Sequence, residues 1–257
     1  VVYPEPRSGR TTGSEGPSWA AALADLVVPL ECAGCGRPGH RWCAGCDATL
    51  AGPPLVVRTR ADLRVPVWAL TGHSGPASRA VSAYKDRGRS DLARPFGAAL
   101  AAGLDELRAE GELPEPGERP TVFIPAPAAA RARRRRGFDH VREIVDALAA
   151  DLAGSRPAGP VAVAPLLAVR GRVRDASGLG AQARSDNLNG RIRRRSERTP
   201  VRASDGAPST VGELLCAPST VLLVDDVVTT GATAAECVKI LEAGGLRVAG
   251  VLCLTAA

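Results

Sequence analysis

Apolar positions along this chain fall into two periods. Continuous β-branched runs mark strands buried on both faces, and i, i+3, i+4, i+7 spacing marks helices with one packed side. Residues 64–70 alternate weakly and predict a strand leading into His73, Ser74 and Gly75. Residues 76–83 and 92–107 predict helices, with a Pro/Gly/Glu loop over 110–119. A strand over 121–124, a helix over 139–152 and a strand over 161–169 follow. A polar, Gly-rich stretch (170–195) and a linker (197–217) lead to the apolar run Val221, Leu222, Leu223, Val224. Ala234, Cys237, Val238 and Leu241 then repeat at helical spacing, Gly244 and Gly245 stop that helix, and residues 248–254 return as a strand. This βαβ unit predicts a right-handed crossover. The alternation predicts an α/β fold: a mainly parallel, twisted sheet flanked by helices.

The polar groups of that unit carry the candidate chemistry. Asp225 and Asp226 stand at the carboxyl end of the strand, where ligands of open α/β sheets bind. Strand alternation turns one carboxylate to a ligand and its neighbour the other way or toward a metal-bound water. Thr229, Thr230, Gly231, Ala232 and Thr233 then open a helix with consecutive backbone N–H groups and three hydroxyls, a cradle for a phosphate dianion. Acids beside such a cradle suggest a sugar phosphate. The chain has no GxxxxGK[ST], and no GxGxxG follows a strand.

The stretch VLLVDDVVTTGAT resembles the phosphoribosyl-pyrophosphate (PRPP) signature of type I phosphoribosyltransferases nearly position for position. The resemblance implies that Asp225 and Asp226 contact the ribose hydroxyls, and that Val228, Thr229, Thr230, Gly231, Ala232 and Thr233 hold the 5′-phosphate of PRPP arriving with Mg²⁺. Residues 24–254 resemble the ComF branch, competence-associated proteins with an N-terminal zinc motif. Tyr84-Lys85-Asp86-Arg87-Gly88 is similar to the YK-x-x-G element of that branch, which brings Lys85 to the substrate. The bland alternative is a solvated helix end whose cations suit the dipole. The IPAP tract and RGFDH are similar to the family's VPVP…R…RGFNQ segment, and the loop after this strand is expected to bind pyrophosphate. Arg131, Arg135 and Arg136 are the candidates there, because guanidinium forks grip phosphate oxygens on which charge grows. The implied catalytic set is Asp225, Asp226, Arg136 and Lys85. His140 stands where the family often has Gln and receives no catalytic role. Arg184, Asn187 and Gly190 match an R-x-x-N-x-x-G element, whereas Asp175-Ala176-Ser177-Gly178-Leu179 lacks the Gln that the family places before Gly-Leu. This segment is expected to form a hood or mobile loop over the site.

Cys32, Cys35, Cys43 and Cys46 form two CxxC pairs with seven residues between them. Each pair aims two thiolates at one tetrahedral Zn²⁺, and four cysteines close the shell, so the metal is expected to be structural. His40 lies between the pairs as an alternative ligand. Three divisions follow: a tail over 1–18, predicted disordered; a zinc-binding motif over 19–60; and a phosphoribosyltransferase-like domain over 61–257.

With 257 residues, 45% hydrophobic and 23% charged, the composition is globular. Net charge is +6, almost all from arginine, since Lys85 and Lys239 are the only lysines; this argues mildly for anionic ligands. No apolar segment reaches the roughly 18 residues of a membrane span, and a cytoplasmic protein is expected. Three functions are carried forward. The first is a phosphoribosyltransferase acting on a nitrogen acceptor, linked to competence or nucleotide salvage, with no general base evident. The second is a non-catalytic PRPP or nucleotide sensor serving DNA-uptake proteins. The third is a zinc-dependent nucleic-acid binder, against which the 3% aromatic content counts.

Overall fold

The computed structural model describes residues 30–128, 133–134, 137–155, 159–170, 190–196, 198–203, 208–210, 212–213 and 218–257. The 1–18 tail, Arg131, Arg135, Arg136 and most of the 170–189 stretch lie outside them. In chain order the elements are α1 (Ala44–Asp47), β1 (Leu55–Val56), β2 (Val67–Gly72), α2 (Gly75–Asp86), α3 (Ala93–Ala109), β3 (Thr121–Pro125), α4 (His140–Ser155), β4 (Val161–Val163), β5 (Leu167–Val169), β6 (Ile192–Arg194), β7 (Pro200–Ala203), β8 (Pro208–Thr210), β9 (Thr220–Val228), α5 (Ala232–Ala243) and β10 (Val248–Ala256).

Among the described residues the main sheet has eight strands in the order β1-β2-β10-β9-β3-β4-β7-β8. The five from β2 to β4 are mutually parallel, and β1, β7 and β8 extend the edges antiparallel. β9 lies at the centre because residues 220–224 are apolar or β-branched throughout, as burial on both faces requires. The chain leaves β3 through α4 to β4 on one side, and leaves β9 through α5 to β10 on the other. Strand order therefore reverses between β3 and β9, and their carboxyl ends flank a crevice. Right-handed crossovers moving in opposite directions put α4 and α5 on opposite faces. α3 packs on α4 so closely that a Cβ on Gly97 would stand 2.6 Å from Ala147 Cβ.

Two expectations need correction. The strand over 161–169 is two strands in different sheets. Pro165 has no N–H to donate, and Leu166 N donates to Ala164 O at 2.7 Å, so the chain turns out of the main sheet before β5 pairs with β6. The linker over 197–217 contains β7 and β8, a short antiparallel pair in which Val201 is buried. β2 starts later than expected, after Pro66, and α2 runs on through Lys85 to Asp86.

The cysteine segment is tied to the α2–α3 region by arginines. Arg89 forks onto Asp91 at 2.8 Å through Nε and Nη2, and also donates to Glu31 O at 3.1 Å and Arg41 O at 2.9 Å. Arg79 donates to Gly34 O, and Trp42 meets Phe96 edge-on at 6.0 Å. No helix among the described residues is long and apolar enough to cross a membrane.

Candidate functional site

The four cysteine sulfurs lie within 4.8 Å of one another. A tetrahedral Zn–S length of about 2.3 Å places sulfurs about 3.8 Å apart; Cys35 Sγ and Cys43 Sγ are 3.6 Å apart. Gly34 passes so near that a Cβ there would sit 2.7 Å from Cys46 Sγ. Burial opposes ionisation of Cys32, but the backbone N–H groups of Cys35, Cys43 and Gly34 outweigh it and bring its thiol down to about 6. Burial, with the neighbouring sulfurs, pushes Cys46 up. An all-sulfur set with one ready thiolate fits a structural Zn²⁺, held by Cys32, Cys35, Cys43 and Cys46.

The second place is the end of β9. Asp226 is 3% exposed, its Oδ1 accepts from Val227 N at 2.8 Å, and its Oδ2 lies 2.8 Å from Lys85 Nζ and 3.2 Å from His140 Nε2. Lys85 comes from the last turn of α2 and His140 from the first residue of α4. Tyr84 locks the two helices by donating to His140 O at 2.8 Å while its ring meets Phe96 and Phe138. Lys85, expected to reach a substrate, is thus an ion-pair partner of Asp226, and His140, given no role, belongs to the same cluster. Asp225 is half-buried and accepts from Asp226 N at 2.9 Å. Burial, with the Asp226 charge beside it, pushes Asp225 up to about 8. Burial also works to raise Asp226, but the Lys85 ammonium and the His140 hydrogen bond outweigh it and hold that carboxyl well below the ordinary range. The two shifts belong to one coupled pair, with Asp225 pushed up and Asp226 held down.

The turn after β9 leads straight into α5. Gly231 sits at φ 79°, the left-handed region that favours glycine, and caps the N-terminus of α5. Val228 and Gly231 are buried, Thr230, Ala232 and Thr233 half-buried, and Thr229 exposed. A feature the sequence did not signal is the segment before β2. Ala61 N donates to Thr230 O at 2.9 Å, and a Cβ on Gly231 would stand 2.6 Å from Thr59 Cβ and 3.0 Å from Leu63 Cδ1. Thr59 and Leu63 thus cover one side of the turn.

Across the crevice, Ala126 N donates to Val224 O at 2.8 Å, which pins the chain after β3 beside the acid pair. A cavity of about 260 Å³ opens next to it, with Pro125, Pro127 and Leu167 as apolar wall and Arg133, Arg142 and Arg195 as cationic rim. Arg142 is committed to Asp146 at 2.9 Å, and Arg133 lies 3.5 Å from Asp139. Of the arginine run, the structure describes Arg133 and Arg134.

At the same sheet edge, His73 Nδ1 lies 2.8 Å from Thr255 Oγ1, and its Nε2 lies 3.1 Å from Ser78 Oγ. Burial, and then the Lys85 charge, lower the proton affinity of the ring, with Asp226 opposing.

A scan of the chain against protein-family models gives no match, and no curated protein matches it. What the fold and site define is coarser than a family. This is a mixed α/β protein with a mostly parallel sheet, a paired-carboxylate cluster at its switch point and four cysteines placed to hold a metal ion.

Proposed function

We propose that the chain is a phosphoribosyltransferase-like protein of the ComF kind, which binds Mg²⁺-PRPP at the end of β9 and transfers the phosphoribosyl group to a nitrogen acceptor. One observation carries the reading: at the switch point of the sheet, Asp225 and Asp226 are followed, five residues after Asp226, by a left-handed glycine at a helix N-terminus. That order presents hydroxyl-binding acids and phosphate-binding N–H groups to one ligand. In this reading Asp225 and Asp226 hold the ribose hydroxyls, and Thr229, Thr230, Ala232 and Thr233 surround the 5′-phosphate. Lys85 fixes Asp226 and stands ready to neutralise charge on the departing pyrophosphate. Bound Mg²⁺ supplies further neutralisation of that leaving group. Arg195 on the rim of the neighbouring cavity, where Arg133 and Arg142 already face Asp139 and Asp146, favours an anion on the same side.

The test is pyrophosphate release from Mg²⁺-PRPP with a panel of nitrogen bases, run beside an Asp225→Asn, Asp226→Asn double variant. Turnover that disappears in the variant supports the reading, and equal release from both sinks it. The burial of Asp226 against Lys85 and His140 favours a second reading, a PRPP or nucleotide sensor, because a ligand must compete with an existing ion pair. A gain in melting temperature with Mg²⁺-PRPP and no turnover selects the sensor.

A further inference from the structure

His73 follows β2 directly, and its backbone N–H donates to Ala256 O at 2.6 Å. Its ring joins two hydroxyls with unequal surroundings: Thr255 is fully buried on β10, whereas Ser78, on α2, is half-buried, as is His73 itself. The arrangement is therefore directional. Thr255 can only orient the ring, and Ser78 is the end that a ligand can meet. The site lies at the level of the acid pair, two strands away in the sheet. Thr255 is in register with Thr71 of β2 and with Val227 of β9, the residue after Asp226. Neighbouring strands are about 4.8 Å apart, so β2 and β9 are separated by about 10 Å at this level.

We propose that Ser78 and His73 form a proton relay for the nitrogen nucleophile that attacks the ribose, an inference that rests on the phosphoribosyl-transfer reading. The nitrogen lone pair forms the bond to C1 while the C1–O bond breaks and its electron pair leaves on pyrophosphate. The proton on that nitrogen passes to Ser78 Oγ as the Ser78 hydroxyl proton moves to His73 Nε2. Nδ1–H donates to Thr255 Oγ1 throughout and fixes the tautomer that keeps a lone pair on Nε2. The imidazolium then returns its proton to water. The charged groups facing the ring are Lys85 from α2 and Asp226 from β9, while β10 contributes the neutral Thr255. The net lowering keeps the ring neutral, and so able to accept a proton, below the ordinary histidine range. A substrate class follows. The relay serves an acceptor that must lose a proton, an amine or an N–H heterocycle. It gives no advantage to a ring nitrogen of the pyridine type, which has none to lose.

The experiment compares the full chain with its His73→Gln and Ser78→Ala variants, using Mg²⁺-PRPP with adenine or ammonia as N–H acceptors and nicotinate as the pyridine-type acceptor. Expected is a fall in kcat/KM on the order of 100-fold for the N–H acceptor in both variants, with loss of the acidic limb of the pH profile. The melting-temperature gain with Mg²⁺-PRPP should be unchanged. A His73→Gln variant that keeps its rate and its acidic limb overturns the relay and leaves the transferase reading standing. A wild-type chain that binds Mg²⁺-PRPP but turns over with no acceptor overturns both. A third readout needs no turnover and no variant: ¹⁵N resonances of the His73 ring should show a neutral Nδ1–H tautomer at pH 6.5. An Nε2–H tautomer, donating toward Ser78, overturns the relay on its own.

Discussion

The cysteine cluster and the acid pair gather anionic groups in opposite ways. Cys32, Cys35, Cys43 and Cys46 come from one short stretch, and the arginines that hold this stretch, Arg79 and Arg89, give hydrogen bonds to backbone carbonyls and to Asp91. The sulfurs are thus compensated chiefly by whatever ion they bind. Asp225 and Asp226 sit on one strand, but Lys85 and His140 arrive from two different helices and meet the charge of Asp226 within the protein. The first site brings four sulfurs close enough to hold a metal ion. The second is complete without a ligand, and any ligand must exchange interactions with what is already there.

The largest effect that sharpens this contrast is loss of the metal. Cys46→Ala, or removal of Zn²⁺ by a strong chelator, should cost on the order of 4–5 kcal/mol. Hydrogen exchange should place that loss in residues 30–50 while β9 and β10 stay protected. Uniform loss across the sheet would mean that the cysteine segment is not a separately stapled unit. Next comes the ion pair. Lys85→Met leaves Asp226 buried with the His140 ring and the Val227 N–H as its partners and should destabilise by about 3 kcal/mol. Adding Asp226→Asn should recover much of this, a coupling that a double-mutant cycle by urea denaturation would measure. Strict additivity would mean that Lys85 is held by solvent and not by Asp226. A smaller loss, about 2 kcal/mol, is expected for Gly231→Ala, which adds a Cβ at positive φ against Thr59 and Leu63. Thr59→Gly in the same background should restore part of it if contact contributes alongside backbone strain.

The same contrast explains what could be foreseen from the sequence. The cysteine centre was legible because its ligands are local, and spacing alone brings four sulfurs together. The βαβ unit of β9, α5 and β10 was legible because a central strand must be apolar on both faces. β7 and β8 escaped notice because strands of three or four residues have too few buried positions to show a period, and the break at Pro165 was hidden inside a continuous apolar run. The acid pair itself was visible, but its partners were not. No local pattern says that the ammonium of Lys85 and the ring of His140 converge on one carboxylate oxygen. The packing of Tyr84 against Phe96 and Phe138 decides that, and it joins distant parts of the chain. For the same reason, the cover of Thr59 and Leu63 over Gly231 has no sequence signature.

The subtlest effect concerns the proton that the acid pair retains. Asp225 has a folded value near 8 against an ordinary carboxyl near 3.8, because burial and the fixed charge of Asp226 both disfavour its ionised form. The folded state therefore holds a proton that the unfolded chain has lost. The stability linked to Asp225 is fully present below about pH 3.8, declines as pH rises, and is gone above about pH 8. Asp226 runs the other way, since its folded value is depressed; its stabilising share is present above the ordinary carboxyl value and is lost only in strong acid. Asp225→Asn removes the first dependence and keeps the second. The variant should thus gain on the wild type as pH climbs from 4 to 8, reach an advantage of about 1–2 kcal/mol and stay level beyond. Melting temperatures of the two proteins across that range supply the check. A difference that is flat from pH 4 to 8 would mean that Asp225 is already ionised beside Asp226. The two carboxylates would then share the compensation of Lys85 and His140, and the pair would resemble the cysteine cluster in needing a cation from outside.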